Sequence, residues 1–208
     1  MLNVGLTGGI ACGKSTVARM FVKNGAYLID FDKLAHEVQE PEKQAWQKVV
    51  DYFGKEILLP DKKIDRIKLG NIVFADKNKI KELNKIVHPF VYQEWNARLE
   101  KITKKEKHAI VLSDIPLLFE GRQQHLFDLT LLVLIEPEEQ IHRLMVRNHI
   151  SREEAQNRLK SQMPISEKIA LADIVIDNKG SISETEKAVN KIWRKLLQCE
   201  KKKLNQTD

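Results

Sequence analysis

Glycines, a lysine and a serine near the N-terminus are spaced in a pattern that suits a phosphate group. Residues 8–15 read GGIACGKS and fit G-x-x-x-x-G-K-[ST]. In this pattern the glycines permit a tight loop, whose backbone N–H groups point at an anion beside a helix N-terminus. Lys14 would reach the β- and γ-phosphates of ATP, and the Ser15 hydroxyl would ligate Mg²⁺. The nucleotide contacts predicted in this phosphate loop are Gly9, Ile10, Ala11, Cys12, Gly13, Lys14, Ser15 and Thr16.

Three carboxylates follow predicted strands, at the sheet edge where such folds bind ligands. Asp30 and Asp32 come after the second strand, and Asp114 after the third. Asp32 lies further past the strand end, so we predict it as the base that accepts a proton from an attacking hydroxyl, with Asp30 orienting it or holding Mg²⁺ through water. The alternative for Asp32 is a helix N-cap. Asp114 is predicted either to hold Mg²⁺ or to cap the following turn.

The densest arginine cluster of the chain lies between residues 143 and 158. Arg143 and Arg147 are spaced i,i+4 on one helical face, and Arg152 and Arg158 follow. Guanidinium groups suit bidentate contact with a phosphoryl group in transfer, so we predict ATP contacts here, with Arg147 the first candidate. Surface ion pairs are the alternative, and their acidic partners would be Glu138, Glu139, Glu153 and Glu154.

Short apolar runs that alternate with helical patterns would position these side chains. The runs predict a parallel sheet covered on both faces, in a doubly wound α/β fold with five strands. The strands are predicted at 2–7, 26–29, 109–112, 129–135 and 174–176, and helices at 14–23, from Pro137 onward and at 184–197.

Two segments interrupt the alternation. Residues 32–107 show apolar residues at helical spacing and no convincing strand, which predicts a helical insert. Residues 147–165 are polar and poor in apolar residues, which favours a small mobile lid. The remaining segments, 1–31, 108–146 and 166–208, are predicted to form the nucleotide-binding core.

Composition narrows the class of protein. The 208 residues are 42% apolar and carry a formal net charge of +6, which suits nucleic acid or a small polyanion such as ATP. Much of the positive excess lies in short lysine runs, typical of solvated helix ends and a frayed C-terminal tail. Cys12 and Cys199 have no metal-ligand spacing, which fits a reducing compartment. Because neither a signal-peptide pattern nor an apolar run of about 18 residues occurs, we expect a cytoplasmic protein without membrane or nucleic-acid partners.

Residues 3 to about 197 resemble the dephospho-coenzyme A kinase family in several motifs that occur in the same order. The segments that carry the resemblance are Thr7-Gly8-Gly9-Ile10 with Gly13-Lys14-Ser15-Thr16, Asp30-Phe31-Asp32 with His36, Ile64-Asp65-Arg66, His88-Pro89, Ile115-Pro116-Leu117-Leu118-Phe119-Glu120, Gln140 with Arg143, Arg147, Arg158 and Gln162, and residues 172–178 with Gly180.

The resemblance implies transfer of the ATP γ-phosphate to the ribose 3′-hydroxyl of dephospho-coenzyme A. By the same resemblance Asp32 is the base and Arg147 the lid arginine, and the insert binds the acceptor. Asn178 and Gly180 are expected beside the adenine of ATP. Arg66, His88 and Leu118 are expected on the acceptor side. We expect a monomer.

Two departures from the family pattern bear on the site. The family loop usually reads Gly-Ser where this chain has Ala11-Cys12, and a methyl group at Ala11 restricts the backbone there. Cys12 is predicted as a small loop residue, although a helix N-terminus can lower a thiol pKa and leave it reactive. Pro41-Glu42 replaces the usual Pro-Gly of the insert.

Two other functions compete with this hypothesis. One is a kinase of the same loop type for another nucleoside, nucleotide or metabolite. The other is a regulatory nucleotide switch or a nucleic-acid-dependent ATPase. A guanine-specific switch would be expected to carry N-K-x-D, which is missing from the sequence.

Overall fold

Strand β1, Leu2–Gly8, is buried along its whole length at the centre of a five-stranded sheet with the order β2-β3-β1-β4-β5. The structure, a computed structural model, describes residues 1–204, so residues 205–208 of the predicted core lie outside the described residues. β1 pairs in parallel with β3 and with β4, and β4 pairs in parallel with β5. The other strands are β2 (Tyr27–Asp30), β3 (Ile110–Asp114), β4 (Leu129–Leu134) and β5 (Ile174–Asp177).

Helices cover this sheet. Val17 and Phe21 of α1 (Lys14–Lys23) pack with Val189 and Leu196 of α9 (Ile182–Leu204), in the cluster that contains the apolar side chains of β1 and β4. The rings of Phe21 and Trp193 are 6.4 Å apart. These helices, with the strands between them, confirm the predicted doubly wound α/β fold. The helices of this part are α1 (Lys14–Lys23), α6 (Pro137–Asn148), α7 (Arg152–Lys160), α8 (Ile165–Leu171) and α9 (Ile182–Leu204).

Contacts among the described residues define two compact units, one of residues 1–29 with 103–204, and one of residues 30–102. The second unit is helical apart from an isolated antiparallel bridge between Leu58 and Ile64. Asp65 caps the helix that follows this bridge by accepting from the N–H groups of Ile67 and Lys68. The helices are α2 (Phe31–Glu37), α3 (Gln44–Phe53), α4 (Arg66–Phe74) and α5 (Lys77–Lys105), the last of which continues into the first unit.

Element ends differ from the predicted ones by a few residues. β3 includes Asp114, which was predicted to follow the strand, because Asp114 still pairs with Leu6 of β1. Lys201–Lys203 were expected in a frayed tail but lie within α9. Among residues 1–204, no helix combines the length and the apolar character that crossing a bilayer requires.

Candidate active site

The phosphate loop connects β1 to α1, and its glycines are needed for two different reasons. Gly13 has a φ of +86° and is the N-cap of α1. Because Gly13 has no side chain and the first turn of α1 has no acidic residue, the N–H groups there face no competing anion from the helix itself. Gly8 is needed for space, since a Cβ atom there would lie 2.5 Å from Sγ of Cys12 and 2.7 Å from the carbonyl oxygen of Val133.

Lys14 forms an ion pair with Asp114, and both side chains are mostly buried. Asp114 is the last residue of β3 and pairs with Leu6 on β1, just before the phosphate loop. The sequence predicted Asp114 as a magnesium ligand or as a cap, and it did not predict this ion pair with Lys14. The pairing places a carboxylate next to the lysine that the loop motif assigns to the phosphates.

Asn178 binds the phosphate loop from the end of β5. Its Nδ2 atom donates to the carbonyl oxygen of Cys12 at 2.8 Å, and its Oδ1 atom accepts from the Thr185 hydroxyl at 2.7 Å. The family resemblance implies that Asn178 lies beside the adenine, and the structure shows its side-chain amide bonded to the protein at both ends. Gly180, predicted for the same role, is exposed.

Two glutamines bind the loop residue Ile10. Nε2 of Gln140 on α6 donates to the carbonyl oxygen of Ile10, and Oε1 of Gln162 accepts from its N–H, both at 2.9 Å. A Cβ atom on Gly9 would lie 2.3 Å from Nε2 of Gln140, so this contact also requires a glycine. The motif resemblance included both glutamines, but it gave them no role.

Lys168 and Glu120 form a mostly buried ion pair that the sequence analysis missed. Nζ of Lys168 lies 2.7 Å from Oε1 of Glu120, and the Lys168 side chain is only 1% exposed. The same Glu120 oxygen accepts from the N–H of Met163 at 3.1 Å. A lysine in a helix of mixed composition gives no sequence signal of burial, because most lysines are solvated.

The arginine cluster forms ion pairs, and one of its guanidinium groups also lies near the phosphate loop. Nε of Arg143 is bonded to Glu139 at 2.8 Å, as the ion-pair alternative predicts. A Cβ atom on Gly13 would nevertheless lie 3.7 Å from Nη1 of Arg143, so this guanidinium reaches the phosphate loop. Arg147 is exposed in the last turn of α6, where its Nε donates to Oδ1 of Asn148 at 3.0 Å. Arg152 pairs with Glu138 at 2.5 Å.

Cys12 is a buried thiol whose pKa is raised above its ordinary value. Burial is the main cause, and it outweighs the opposing effects of the Lys14 N–H and of the Lys14 charge. The raised pKa favours the predicted small loop residue over a reactive thiol, because desolvation of the thiolate is a larger effect than the helix N-terminus.

Asp30, and not Asp32, is the N-cap of α2. Oδ1 of Asp30 accepts from the N–H of Lys33 at 3.1 Å, so the alternative that made Asp32 the cap is wrong. The helix begins at Phe31, two residues earlier than the start at Lys33 that the alternative required. Asp32 lies in the first turn of α2 with its side chain exposed.

The predicted acceptor-side residues lie in different surroundings. Nη1 of Arg66 donates to Oε1 of Gln39 at 3.1 Å, and burial lowers the pKa of Arg66 while the charge of Glu40 acts in the opposite direction. His88 contacts Tyr92 edge to face, with ring centroids 6.2 Å apart, and burial lowers the pKa of His88.

Leu118, the third predicted acceptor-side residue, is fully buried. Its Cδ1 atom would lie 2.6 Å from a Cβ atom on Gly5 of β1. The side chain therefore packs against the central strand, and the neighbouring Leu117 is the half-exposed one.

Comparison with known proteins gives concordant matches over most of the chain. A family model described as dephospho-CoA kinase matches residues 2–184. A dephospho-CoA kinase of Syntrophus aciditrophicus (strain SB) is 52% identical over 201 residues, 97% of this chain and 86% of that protein. One from Carboxydothermus hydrogenoformans (strain ATCC BAA-161 / DSM 6008 / Z-2901) is 48% identical over 192 residues, 92% and 93% of the two chains. The solved structure of a dephospho-CoA kinase from Campylobacter jejuni is 29% identical, with a TM-score of 0.72 and coverage of 94% of this chain and 97% of that one.

Proposed function

The chain belongs to the dephospho-CoA kinase family, and we propose on that premise that it transfers the γ-phosphate of ATP to the ribose 3′-hydroxyl of dephospho-coenzyme A. The protein is a kinase, and the family uses ATP. The proposed reaction is the final step of coenzyme A biosynthesis. The observation that carries the proposal is the phosphate loop, with Lys14 at the start of α1, in a chain that matches the family over residues 2–184.

The phosphate loop and Lys14 would bind the triphosphate. The N–H groups at the start of α1 carry partial positive charge, and Lys14 adds a full charge beside them. Lys14 is already paired with Asp114, so the phosphates and this carboxylate would compete for one ammonium group. One proposed role of Asp114 is to hold Lys14 in position.

Mg²⁺ is the metal that such a reaction implies. Mg²⁺ prefers hard oxygen ligands, usually one or two from the protein together with phosphate oxygens. The Ser15 hydroxyl in the first turn of α1 and the Asp114 carboxylate at the end of β3 are donors of this type. We assign Ser15 as the direct ligand and Asp114 as the acceptor for a metal-bound water. The bound ion would neutralise charge on the β- and γ-phosphates.

Asp32 would be the base. In the transfer, the 3′-oxygen forms a bond to the γ-phosphorus, the bond from that phosphorus to the β–γ bridging oxygen breaks, and ADP leaves. The proton of the 3′-hydroxyl would pass to the Asp32 carboxylate. Asp32 is exposed, as a base that meets an incoming substrate must be. Asp30 would orient the start of α2 through its bond to the Lys33 N–H.

The lid and the insert would complete the site. The lid, residues 147–165, would bring Arg147 to the migrating phosphoryl group, and Arg143 would bind the phosphates. The insert, residues 32–107, would bind the acceptor through Arg66 and His88, with Leu118 of the core unit a further acceptor-side candidate. Asn178 and Gly180 would lie beside the adenine, in the case of Asn178 through its backbone, since its side chain is bonded to Cys12 and Thr185.

We also propose that the enzyme is a monomer of the cytoplasm. Cys12 and Cys199 are both free thiols, which fits a reducing compartment. Light scattering of the purified protein tests its oligomeric state.

Measuring ADP release with a panel of acceptors tests the proposed activity. Dephospho-coenzyme A is expected to stimulate ADP release and to gain one phosphate at the 3′ position, which phosphorus NMR identifies. Nucleosides, nucleotides and nucleic acid at the same concentration are the comparison set. A larger stimulation by any of them, or none by dephospho-coenzyme A, would overturn the proposal.

A further inference from the structure

We propose that Gln162 is a positioning residue for phosphoryl transfer, which acts with Gln140 to fix the phosphate loop to the C-terminal part of the lid. The inference rests on the proposed kinase function for its kinetic consequences. The hydrogen bonds to the Ile10 backbone can be tested without any substrate.

Ile10 is held on both sides of its backbone. Its N–H donates to Gln162 and its carbonyl oxygen accepts from Gln140, each at 2.9 Å. Gln140 lies on α6, before the lid, and Gln162 follows α7. The Ile10 side chain also packs against the apolar cluster between these helices, which includes Leu144 and Ala155. Both ends of the α6–α7 pair therefore contact one residue of the phosphate loop.

The segment that carries Gln162 is in turn fixed by Glu120. One Glu120 oxygen accepts from the Met163 N–H at 3.1 Å and lies 2.7 Å from Nζ of Lys168. A buried ion pair of this kind is costly to break on one side, because the remaining charge is left without its partner. The position of residues 162–168 is thus set by a charge pair, and Gln162 transmits that position to Ile10.

A cavity of about 340 Å³ adjoins these bonds. Its wall includes Gly9 and both glutamines together with the apolar residues Pro137, Leu159 and Met163. Because close packing is interrupted beside the segment, side-chain packing alone does not define where Gln162 lies. The hydrogen bonds to Ile10 would fix the position of Gln162 instead. Loss of one of these bonds would let the phosphate loop and the segment that carries Gln162 move independently.

Small displacements matter at this place. Ile10 lies within the loop whose N–H groups bind the phosphates, and transfer rates fall steeply when reacting groups are slightly misplaced. A positioning role therefore predicts a loss in kcat. It does not predict a loss in acceptor binding, since the bond of Gln162 goes to Ile10 and not to the proposed acceptor side chains.

The primary variant is Gln162→Met, which keeps the side-chain length and removes the acceptor for the Ile10 N–H. We expect kcat to fall about tenfold, the effect of one lost hydrogen bond, with the KM for dephospho-coenzyme A within about twofold of the original. Gln156→Met on α7, at a half-buried position of the same lid, is the matched control and is expected to retain kcat. Equal kcat values for Gln162→Met and the original chain would overturn the proposal.

Gln140→Met and the double variant test whether the two glutamines act together. Because both bonds hold the same residue, the double variant should lose less than the product of the two single losses. Strictly multiplicative losses would show two independent effects and contradict the inference.

Amide hydrogen exchange at Ile10 separates this inference from the proposed function. We expect Gln162→Met to exchange faster at Ile10 by about tenfold, while thermal unfolding still shows a folded chain. Unchanged protection would overturn the inference even in an active kinase. Faster exchange in a protein that does not phosphorylate dephospho-coenzyme A would overturn only the proposed function.

Discussion

Nδ2 of Asn178 donates a hydrogen bond of 2.8 Å to the carbonyl oxygen of Cys12, across 166 residues of sequence. The bond joins the end of β5 to the middle of the phosphate loop. Thr185 on α9 donates to the other end of the same amide, so the amide orientation is fixed. Asn178 therefore supports the loop at Cys12, whereas the two glutamines support it at Ile10.

Replacing Asn178 by Ala is expected to destabilise the chain by about 2 kcal/mol, because the buried Cys12 carbonyl loses its partner. Urea unfolding measures the change. Asn157→Ala, an exposed position on α7, is the matched control and should change stability by less than about 0.5 kcal/mol. Equal effects of the two substitutions would contradict a structural role for the Asn178 amide.

Asp32→Asn is expected to lower kcat by about 100-fold or more while ATP binding is retained, since the amide does not accept a proton at neutral pH. Steady-state kinetics and calorimetric titration with ATP measure the two quantities. Asp30→Asn is the comparison, because Asn caps a helix as well as Asp does. Asp30→Asn should therefore keep α2 intact, and its kcat should fall less than that of Asp32→Asn. Full turnover by Asp32→Asn would exclude Asp32 as the base.

Lys14→Ala is expected to lower kcat at least about 100-fold, the usual effect of removing one preorganised charge from a transferring group. Lys23→Ala, on the exposed last residue of the same helix, should have little effect on rate. Circular dichroism is needed alongside, because removing Lys14 leaves the Asp114 carboxylate without its ammonium partner. If the Lys14→Ala variant is folded and its kcat is unchanged, Lys14 does not have the proposed role at the triphosphate.

Ala11→Gly is expected to stabilise the chain by about 0.5–1 kcal/mol. Ala11 has a φ of +59°, a left-handed conformation that costs a residue with a Cβ atom about 1–2 kcal/mol. Glycine avoids this cost but has greater freedom in the unfolded chain, so only part of it is recovered. The change in the thermal midpoint measures it. Ala97→Gly, in the exposed part of α5, should shift the midpoint in the opposite direction.

The sheet and the phosphate loop could be predicted because their signals are local. Apolar runs of a few residues mark strands, and the loop motif occupies eight consecutive positions, 8–15. The supports of the loop could not be predicted in the same way. Asn178 with Cys12 and Gln140 with Ile10 are pairs separated by more than 100 residues. Nothing in the local pattern of a polar side chain says which backbone group it will meet.

The N-cap of α2 was predicted at Asp32 and is found at Asp30, and this error has a different cause. Both residues fit the composition of a cap, and the choice depends on whether α2 begins at Phe31 or at Lys33. Sequence patterns place helix ends only to within a residue or two. A boundary error of that size is harmless for the fold, but it changes which carboxylate is bonded and which is exposed.

The left-handed Ala11 lies between two residues that are bonded from outside the loop, Ile10 to the glutamines and Cys12 to Asn178. The unfavourable backbone angle is therefore imposed on residue 11 by its neighbours. The backbone conformation at residue 11 is therefore determined by side chains outside the loop. Position 11 itself should accept different small residues. Substitutions at Gln140, Gln162 or Asn178 should be tolerated far less well than exchanges among small residues at position 11.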